Sequence, residues 1–184
     1  MTRGSPLPAH RLSDLPDRVV LPALPEQART PPPAPTALDG FNGAPAAETR
    51  RALLTCLRSP RWAHLVTAHR PYPTLDALLA ASDEAAYDLT AGDLTEALAA
   101  ESLPPLPADA YGAAHMALGA AHAAYEARFG HPFVVCLDGV PPPEALDHVL
   151  AAIRSRLAND PEEERVVTAE ELRRLARQRL TGLL

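Results

Sequence analysis

The sequence contains no lysine, so all 17 of its basic residues are arginine. Schiff-base catalysis and covalent attachment of pyridoxal phosphate both need a lysine amine, and the chain excludes them as self-contained mechanisms. Only two cysteines occur, Cys56 and Cys136, and both lie in apolar stretches. Because two cysteines are too few for a disulfide framework, we predict buried thiols in a reducing cytoplasm.

Long apolar runs and clustered basic residues are also missing. No run approaches the roughly 18 apolar residues of a membrane span, and prolines interrupt the apolar residues 18–25 before they could act as a signal peptide. The net charge of −6 argues against a nucleic-acid surface, whose mark is clustered positive charge. We therefore expect a cytoplasmic protein that binds neither membrane nor nucleic acid.

Common catalytic motifs are absent as well. The nine glycines are scattered, and the sequence has no phosphate-binding glycine loop, GxSxG elbow, CxxC pair or dinucleotide fingerprint. The chemistry of this chain must therefore be sought in single residues and their positions.

Proline content divides the chain into two parts. Residues 1–38 hold nine of the 21 prolines without a sustained hydrophobic period, and such a segment cannot bury enough apolar surface to offset its ordering entropy. We predict a disordered tail over residues 1–38. Residues 39–184 have regular apolar spacing and enough length for one core, so we predict one domain there.

Capping residues mark the starts of the predicted helices. Ser59 before Pro60, Thr74, and Thr90 with Asp93 three positions later each precede a short segment with leucines at helical spacing. Short amphipathic helices joined by brief connections are typical of a compact multi-helix array. The sequence thus predicts an all-α fold.

The last predicted helix begins with Asp160 as its N-cap and Pro161 in its first turn. Its apolar stripe contains one exception, because Arg179 lies four residues after Leu175 and seven after Leu172. Arginine does not lose its charge in a protein interior, so an inward Arg179 needs an anionic partner. That partner is either a side-chain carboxylate or a bound ligand, and the sequence leaves both open.

Another predicted helix runs from about residue 107 to about Phe129. One of its faces carries Tyr111, His115, Leu118, His122, Tyr125 and Phe129, which recur every three or four residues. Two histidines on one face could bind a metal or shuttle protons, but no HExxH pair accompanies them. Histidines at the edge of the core, with satisfied ring nitrogens, are the default expectation.

Motifs in order along residues 41–184 resemble those of one enzyme family. They are Phe41-Asn42 opening the first helix, Ser59-Pro60-Arg61-Trp62, Arg70-Pro71-Tyr72, Leu75-Asp76-Ala77-Leu78, Glu96-Ala97-Leu98, Ala124-Tyr125, Arg128-Phe129-Gly130-His131-Pro132-Phe133, Arg156-Leu157-Ala158-Asn159-Asp160-Pro161-Glu162 and Arg179-Leu180. In this order they resemble the 2-oxo-4-hydroxy-4-carboxy-5-ureidoimidazoline (OHCU) decarboxylases of uric-acid breakdown.

The resemblance implies an all-α protein, often a dimer, that converts OHCU to (S)-allantoin without a metal or an organic cofactor. The chemistry is reasonable because the substrate's own imine can absorb the electrons left by departing CO₂. The protein then needs only to hold the carboxylate and deliver a proton to one face. The resemblance further implies that Arg179 grips the substrate and that the backbone at Phe133, Val134 and Val135 lines the pocket.

The chain also departs from the family pattern. Glu101 and Ser102 stand where family members carry a catalytic His-Pro pair, and His122 stands where an asparagine is common. The segment whose serine, glutamate and glutamine position the substrate is largely missing between residues 103 and 108. The arginine clamp is thus retained, whereas the residues that handle the proton are replaced.

Three hypotheses follow for a protein of uric-acid and purine catabolism. It is an active decarboxylase, hence a carboxy-lyase, in which Glu101, His122 or His115 replaces the histidine. Alternatively, it is a catalytically degenerate paralogue that binds a ureide or other carboxylate as a regulatory or accessory protein. Thirdly, it acts on another carboxylated heterocycle. We predict that ordinary activity is lost, because removing acid–base groups typically costs about 100-fold or more.

Overall fold

The computed structural model describes Met1, residues 34–102 and residues 112–184, and Pro35–Leu184 forms one compact unit. Its helices are α1 (Ala37–Gly43), α2 (Ala46–Cys56), α3 (Pro60–Ala68), α4 (Leu75–Tyr87), α5 (Ala91–Ala99), α6 (Gly112–Phe129), α7 (Ala145–Arg156) and α8 (Pro161–Leu183), with a 3-10 turn at Pro142–Glu144. The described residues contain no strand, which confirms the predicted all-α class. Most of the predicted tail lies outside the described residues.

The local signals placed the helix starts correctly. Ser59, Thr74, Thr90 and Asp160 each accept a hydrogen bond from a backbone N–H in the first turn of their helix. Thr90 and Asp93 form the full reciprocal capping box. Phe129 ends α6 as predicted, whereas the predicted beginning of that helix lies outside the described part of the chain. None of the described helices is long and apolar enough to cross a bilayer.

Helix α1 departs from the predicted lead-in. Phe41 does not open the first helix but lies inside α1, which begins at Ala37, slightly before the boundary predicted at residue 39. A capping box between Thr36 and Asp39 fixes this start, with the Asp39 side chain accepting from the Thr36 backbone at 2.8 Å. The T-x-x-D pattern of Thr36 and Asp39 indicates this capping box, but it directly follows prolines that favour an irregular segment.

Helix α8 is the central element and packs against α2 and α4. Its inward residues Leu172, Ala176 and Leu180 are buried in one core cluster with Leu53 of α2 and Trp62 of α3. Burial of these large side chains supplies most of the stability of such a core, at roughly 25 cal/mol per Å² of apolar surface. The same packing places the end of α8 beside the end of α2.

A second core cluster joins α6 and α7. Tyr125 of α6 and Val149 and Ile153 of α7 are buried together with Phe133 from the connection between those helices. That connection, Phe133–Leu137, contains no regular element and crosses between the two clusters. Its backbone position is therefore fixed by packing on both sides.

A buried ion pair anchors this connection. Arg156, at the end of α7, pairs with Glu164 of α8 through Nη2 and Oε1 at 2.6 Å, and both residues are buried. Arg156 also donates to the carbonyl oxygen of Val134 at 2.6 Å and to Thr168 Oγ1 at 2.8 Å. The Tyr125 hydroxyl donates to Glu164 Oε1. Both charged groups of the pair are thus hydrogen-bonded, as a charge in the interior requires.

Candidate functional site

Arg179 lies where α8 meets the end of α2, and its partner is a carboxylate of the chain itself. Its Nη1 and Nη2 atoms donate to Glu101 Oε1 and Oε2, each at 2.7 Å, in a bidentate pair. Nη1 also donates to the carbonyl oxygen of Cys56 at 3.0 Å, which satisfies a terminal carbonyl of α2. The sequence predicted that Arg179 needs an anionic partner, and the structure supplies Glu101.

Glu101 is held in place by the end of α5. Its backbone N–H donates to the carbonyl oxygen of Leu98 at 3.0 Å, which continues the last turn of the helix. Only 7% of the Glu101 side chain is exposed, against 37% of the Arg179 side chain. Bonding to Glu101 raises the pKa of Arg179, which therefore stays charged.

A pocket of about 670 Å³ opens beside this pair. Its lining is Arg51, Leu54, Thr55, Arg58, Ala100, Glu101, Ser102 and Arg179. Three of these residues carry guanidinium groups, whereas Glu101 is the one carboxylate among them. Arg179 thus has both a carboxylate partner and an adjoining space of the size that takes a small molecule.

The two thiols are buried, as the sequence predicted. Cys56 and Cys136 are both free and both buried. Burial raises the pKa of the Cys56 thiol, and the opposing effect of the Arg179 charge is smaller. A raised pKa leaves little thiolate, so Cys56 is not an activated nucleophile.

The residues expected to line the pocket along the connection have buried side chains. Phe133 and Val135 belong to the α6–α7 cluster, and Val134 belongs to the α8 cluster. Of their backbone groups, the Val134 carbonyl is taken by Arg156. The backbone N–H of Cys136, the residue after Val135, donates to Glu171 Oε2 at 2.6 Å. A role for this backbone in ligand binding stays a prediction.

His122 lies on α6, apart from the lining of the Arg179 pocket. It is 3% exposed, and its ring meets Phe133 edge to face with centroids 5.8 Å apart. Neither ring nitrogen has a hydrogen-bond partner among the described residues, unlike the satisfied nitrogens expected from the sequence. Burial lowers the pKa of His122, and the nearby Glu126 opposes that effect. The His115 side chain lies outside the described part of the structure, and a catalytic role for His122 stays a prediction.

Sequence reasoning missed two sets of charged residues. Arg156 was quoted only as part of a motif and Glu164 was not singled out, but they form the buried pair that fixes Val134. Arg51 and Arg58 were not singled out at all, although both line the pocket. In the sequence they look like ordinary surface arginines on a helix and just after it, and such residues are usually solvated.

Comparisons with known proteins agree on the fold. A profile of the family described as OHCU decarboxylase matches residues 42–105 and 106–181. The structure is similar to a crystal structure of (S)-allantoin synthase, with a TM-score of 0.64, 23% identity and coverage of 81% of this chain and 54% of that one. It is also similar to OHCU decarboxylase crystallised in the presence of (S)-allantoin, with a TM-score of 0.61, 21% identity and coverage of 71% and 94%.

The chain spans about half the length of the (S)-allantoin synthase that it matches, at 54%. No curated protein matches the sequence. At identities of 23% and 21%, these structural similarities establish the shared fold and nothing beyond it. The family profile, however, covers well over half of the sequence. The chain therefore belongs to the OHCU decarboxylase family.

Proposed function

We propose that this protein acts in purine catabolism by binding a small carboxylate or ureide in the pocket beside Arg179, and that ordinary decarboxylation of OHCU is lost. The observation that carries the proposal is the bidentate pair between Arg179 and Glu101 at the edge of that pocket. A guanidinium that holds a carboxylate of the chain in this geometry can hold a ligand carboxylate in the same way.

The donors of Arg179 support ligand binding. A guanidinium has five N–H groups, and the described residues accept from Nη1 and Nη2 but not from Nε. An incoming carboxylate can use the remaining donors or displace Glu101 from the pair. The pocket of about 670 Å³ has room for a ligand of the size of a ureide.

The position of Glu101 supports the loss of ordinary turnover. Decarboxylation breaks the bond between a ring carbon and the carboxylate, and the electron pair moves into the adjacent imine. A proton must then reach the imine carbon, while the hydroxyl-bearing carbon becomes a carbonyl. In the resemblance Glu101 stands at the place of the catalytic histidine, but both of its oxygens accept hydrogen bonds from Arg179. A carboxylate held as an acceptor has no proton to deliver, so the proton-transfer step lacks its donor.

Chirality of the product tests turnover. Freshly generated OHCU is incubated with the protein, and the circular dichroism of the allantoin formed is followed over time. Spontaneous decay gives racemic allantoin, which has no circular dichroism signal. We expect no allantoin signal in the presence of the protein either. Formation of (S)-allantoin faster than spontaneous decay would overturn the claim that ordinary activity is lost.

Calorimetry tests binding with allantoate, a stable ureide carboxylate. We expect saturable binding by the wild-type protein and a loss of about tenfold or more in affinity for Arg179→Gln. Arg154→Gln is the control, because Arg154 is exposed on α7 and does not line the pocket. Equal affinities of the wild type and Arg179→Gln would remove Arg179 as the binding group.

A second candidate is a decarboxylase that uses Glu101 as its acid. The position of Glu101 favours this second function, because its side chain is 7% exposed and lines the pocket. A substrate carboxylate that binds Arg179 would release Glu101 from its pair. A protonated carboxyl at this position would be a general acid within the pocket. In that case the wild type forms (S)-allantoin, and Glu101→Gln abolishes its formation while substrate binding remains.

A further inference from the structure

Arg51 and Arg58 line the same pocket as Arg179. Arg51 lies on α2 and Arg58 just beyond the end of that helix, and both side chains are exposed while lining the same space of about 670 Å³. Leu54 and Thr55 lie between them in the lining. Two guanidiniums therefore face the cavity that Arg179 and Glu101 border.

Among the described residues, no carboxylate pairs with either of these two arginines. Arg179 and Glu101 neutralise each other through their bidentate pair, whereas neither Arg51 nor Arg58 forms a salt bridge with any residue in 34–102 or 112–184. The chain as a whole has a net charge of −6. A concentration of positive charge within an acidic chain attracts anions to that cleft.

The end of α2 explains only part of this arrangement. Terminal carbonyls carry partial negative charge and stabilise nearby cations, and Arg179 makes that contact directly at Cys56. Arg58 follows the same helix end and gains from the same effect. Arg51, however, is one turn or more further back on α2, where the helix terminus does little for it.

We propose that Arg51 and Arg58 form a second anionic subsite, so that the pocket takes a ligand with two anionic groups. One carboxylate of this ligand binds Arg179, and the other anionic group binds Arg51 and Arg58. The inference rests on the proposed binding function of Arg179 and adds the chemical class of the ligand. A small dicarboxylate is the simplest molecule of this class.

Displacement of Glu101 gives the second subsite its physical role. A ligand that takes Arg179 leaves Glu101 unpaired in a site where its side chain is only 7% exposed, which opposes binding of a single carboxylate. A second anionic group on Arg51 and Arg58 adds charge-assisted hydrogen bonds that offset this loss. The pocket thus discriminates in favour of dianions over monoanions.

Matched carboxylates test the proposal by calorimetry on the whole chain. Malonate, succinate and glutarate are compared with propionate, butyrate and valerate, so that each dicarboxylate has a monocarboxylate of equal carbon number. We expect the best dicarboxylate to bind about tenfold more tightly than its partner at low salt. We also expect added salt to weaken the dicarboxylate more than the monocarboxylate.

Single variants identify the groups responsible. Arg51→Gln and Arg58→Gln are each expected to weaken dicarboxylate binding by up to about tenfold. Monocarboxylate affinity is expected to stay unchanged. Arg50→Gln is the matched control, because Arg50 is exposed on α2, next to Arg51 in sequence, but is not part of the lining. Thermal unfolding of each variant checks the fold, which exposed side chains are not expected to affect.

The possible outcomes separate this inference from the binding function itself. If each dicarboxylate binds no more tightly than its matched monocarboxylate, and only Arg179→Gln loses affinity, the second subsite is overturned. The proposed function then remains intact. If Arg50→Gln loses as much dicarboxylate affinity as Arg51→Gln, the effect is one of general surface charge, and this also overturns the second subsite. If the wild type binds no carboxylate at all, the proposed binding function fails, and the second subsite fails with it.

Discussion

Arg179 on α8 and Glu101 after α5 are 78 positions apart in sequence, yet they form a bidentate pair with both N···O distances at 2.7 Å. The pair borders a pocket that also presents Arg51 and Arg58. The predicted substrate clamp, Arg179, is therefore held by the residue that the resemblance places at the position of the catalytic histidine. In the proposed function, Glu101 therefore competes with a ligand carboxylate for the same guanidinium.

Glu101→Gln is expected to increase the affinity for succinate about tenfold at low salt. The amide is neutral and cannot hold Arg179 in a charge-assisted bidentate pair, so the guanidinium becomes available to the ligand. Isothermal titration calorimetry measures the change. Glu144→Gln provides the control, since Glu144 is exposed in the 3-10 turn and does not line the pocket. An unchanged affinity in Glu101→Gln would show that the pair does not compete with ligand.

Arg156→Met is expected to lower the free energy of unfolding by about 3–5 kcal/mol, because it leaves Glu164 charged and buried without its partner. It also removes the hydrogen bond to the Val134 carbonyl. Urea unfolding gives the value. Arg165→Met is the control, because Arg165 pairs with Glu162 on the surface and such pairs are worth about 0–1 kcal/mol. A loss in Arg156→Met no larger than that of the control would contradict the structural role of the pair.

The stability that Glu164 provides is expected to depend on pH. Burial raises the pKa of Glu164, but hydrogen bonds from Arg156 and Tyr125 outweigh burial and hold it below its ordinary value of 4.5. A carboxyl with a lowered pKa in the folded state stabilises the protein above its unfolded pKa and ceases to do so as the pH falls through the folded value. The difference in unfolding free energy between wild type and Glu164→Gln should be full at neutral pH and shrink below 4.5. A difference that stays constant through that range would rule out a paired, ionised Glu164.

Neither thiol is expected to react quickly with Ellman's reagent in the folded protein. Cys56 is 2% exposed and Cys136 is 3% exposed, and burial raises the pKa of Cys56. Both should react at once in urea, giving two thiols per chain. Fast reaction of one thiol under native conditions, absent in Cys56→Ala or in Cys136→Ala, would reveal opening of the structure around that residue.

Much of the fold followed from local sequence patterns. The caps at Ser59, Thr74, Thr90 and Asp160 were predicted because each depends only on residues within one helical turn. The apolar stripe of α8 and the end of α6 followed from the same short-range periodicity. The start of α1 was misplaced, because its capping box at Thr36 lies against a proline-rich segment that dominates the local composition.

The sequence by itself determined that Arg179 needs an anionic partner, because its place on an apolar stripe and its permanent charge are properties of a single residue. Only the tertiary structure decided that the partner is Glu101 and that Arg51 and Arg58 face the same pocket. It also paired Arg156 with Glu164 and placed His122 against Phe133. The physical reason is that capping and amphipathic spacing act within a few residues, whereas charge pairing and cavities depend on how distant helices pack.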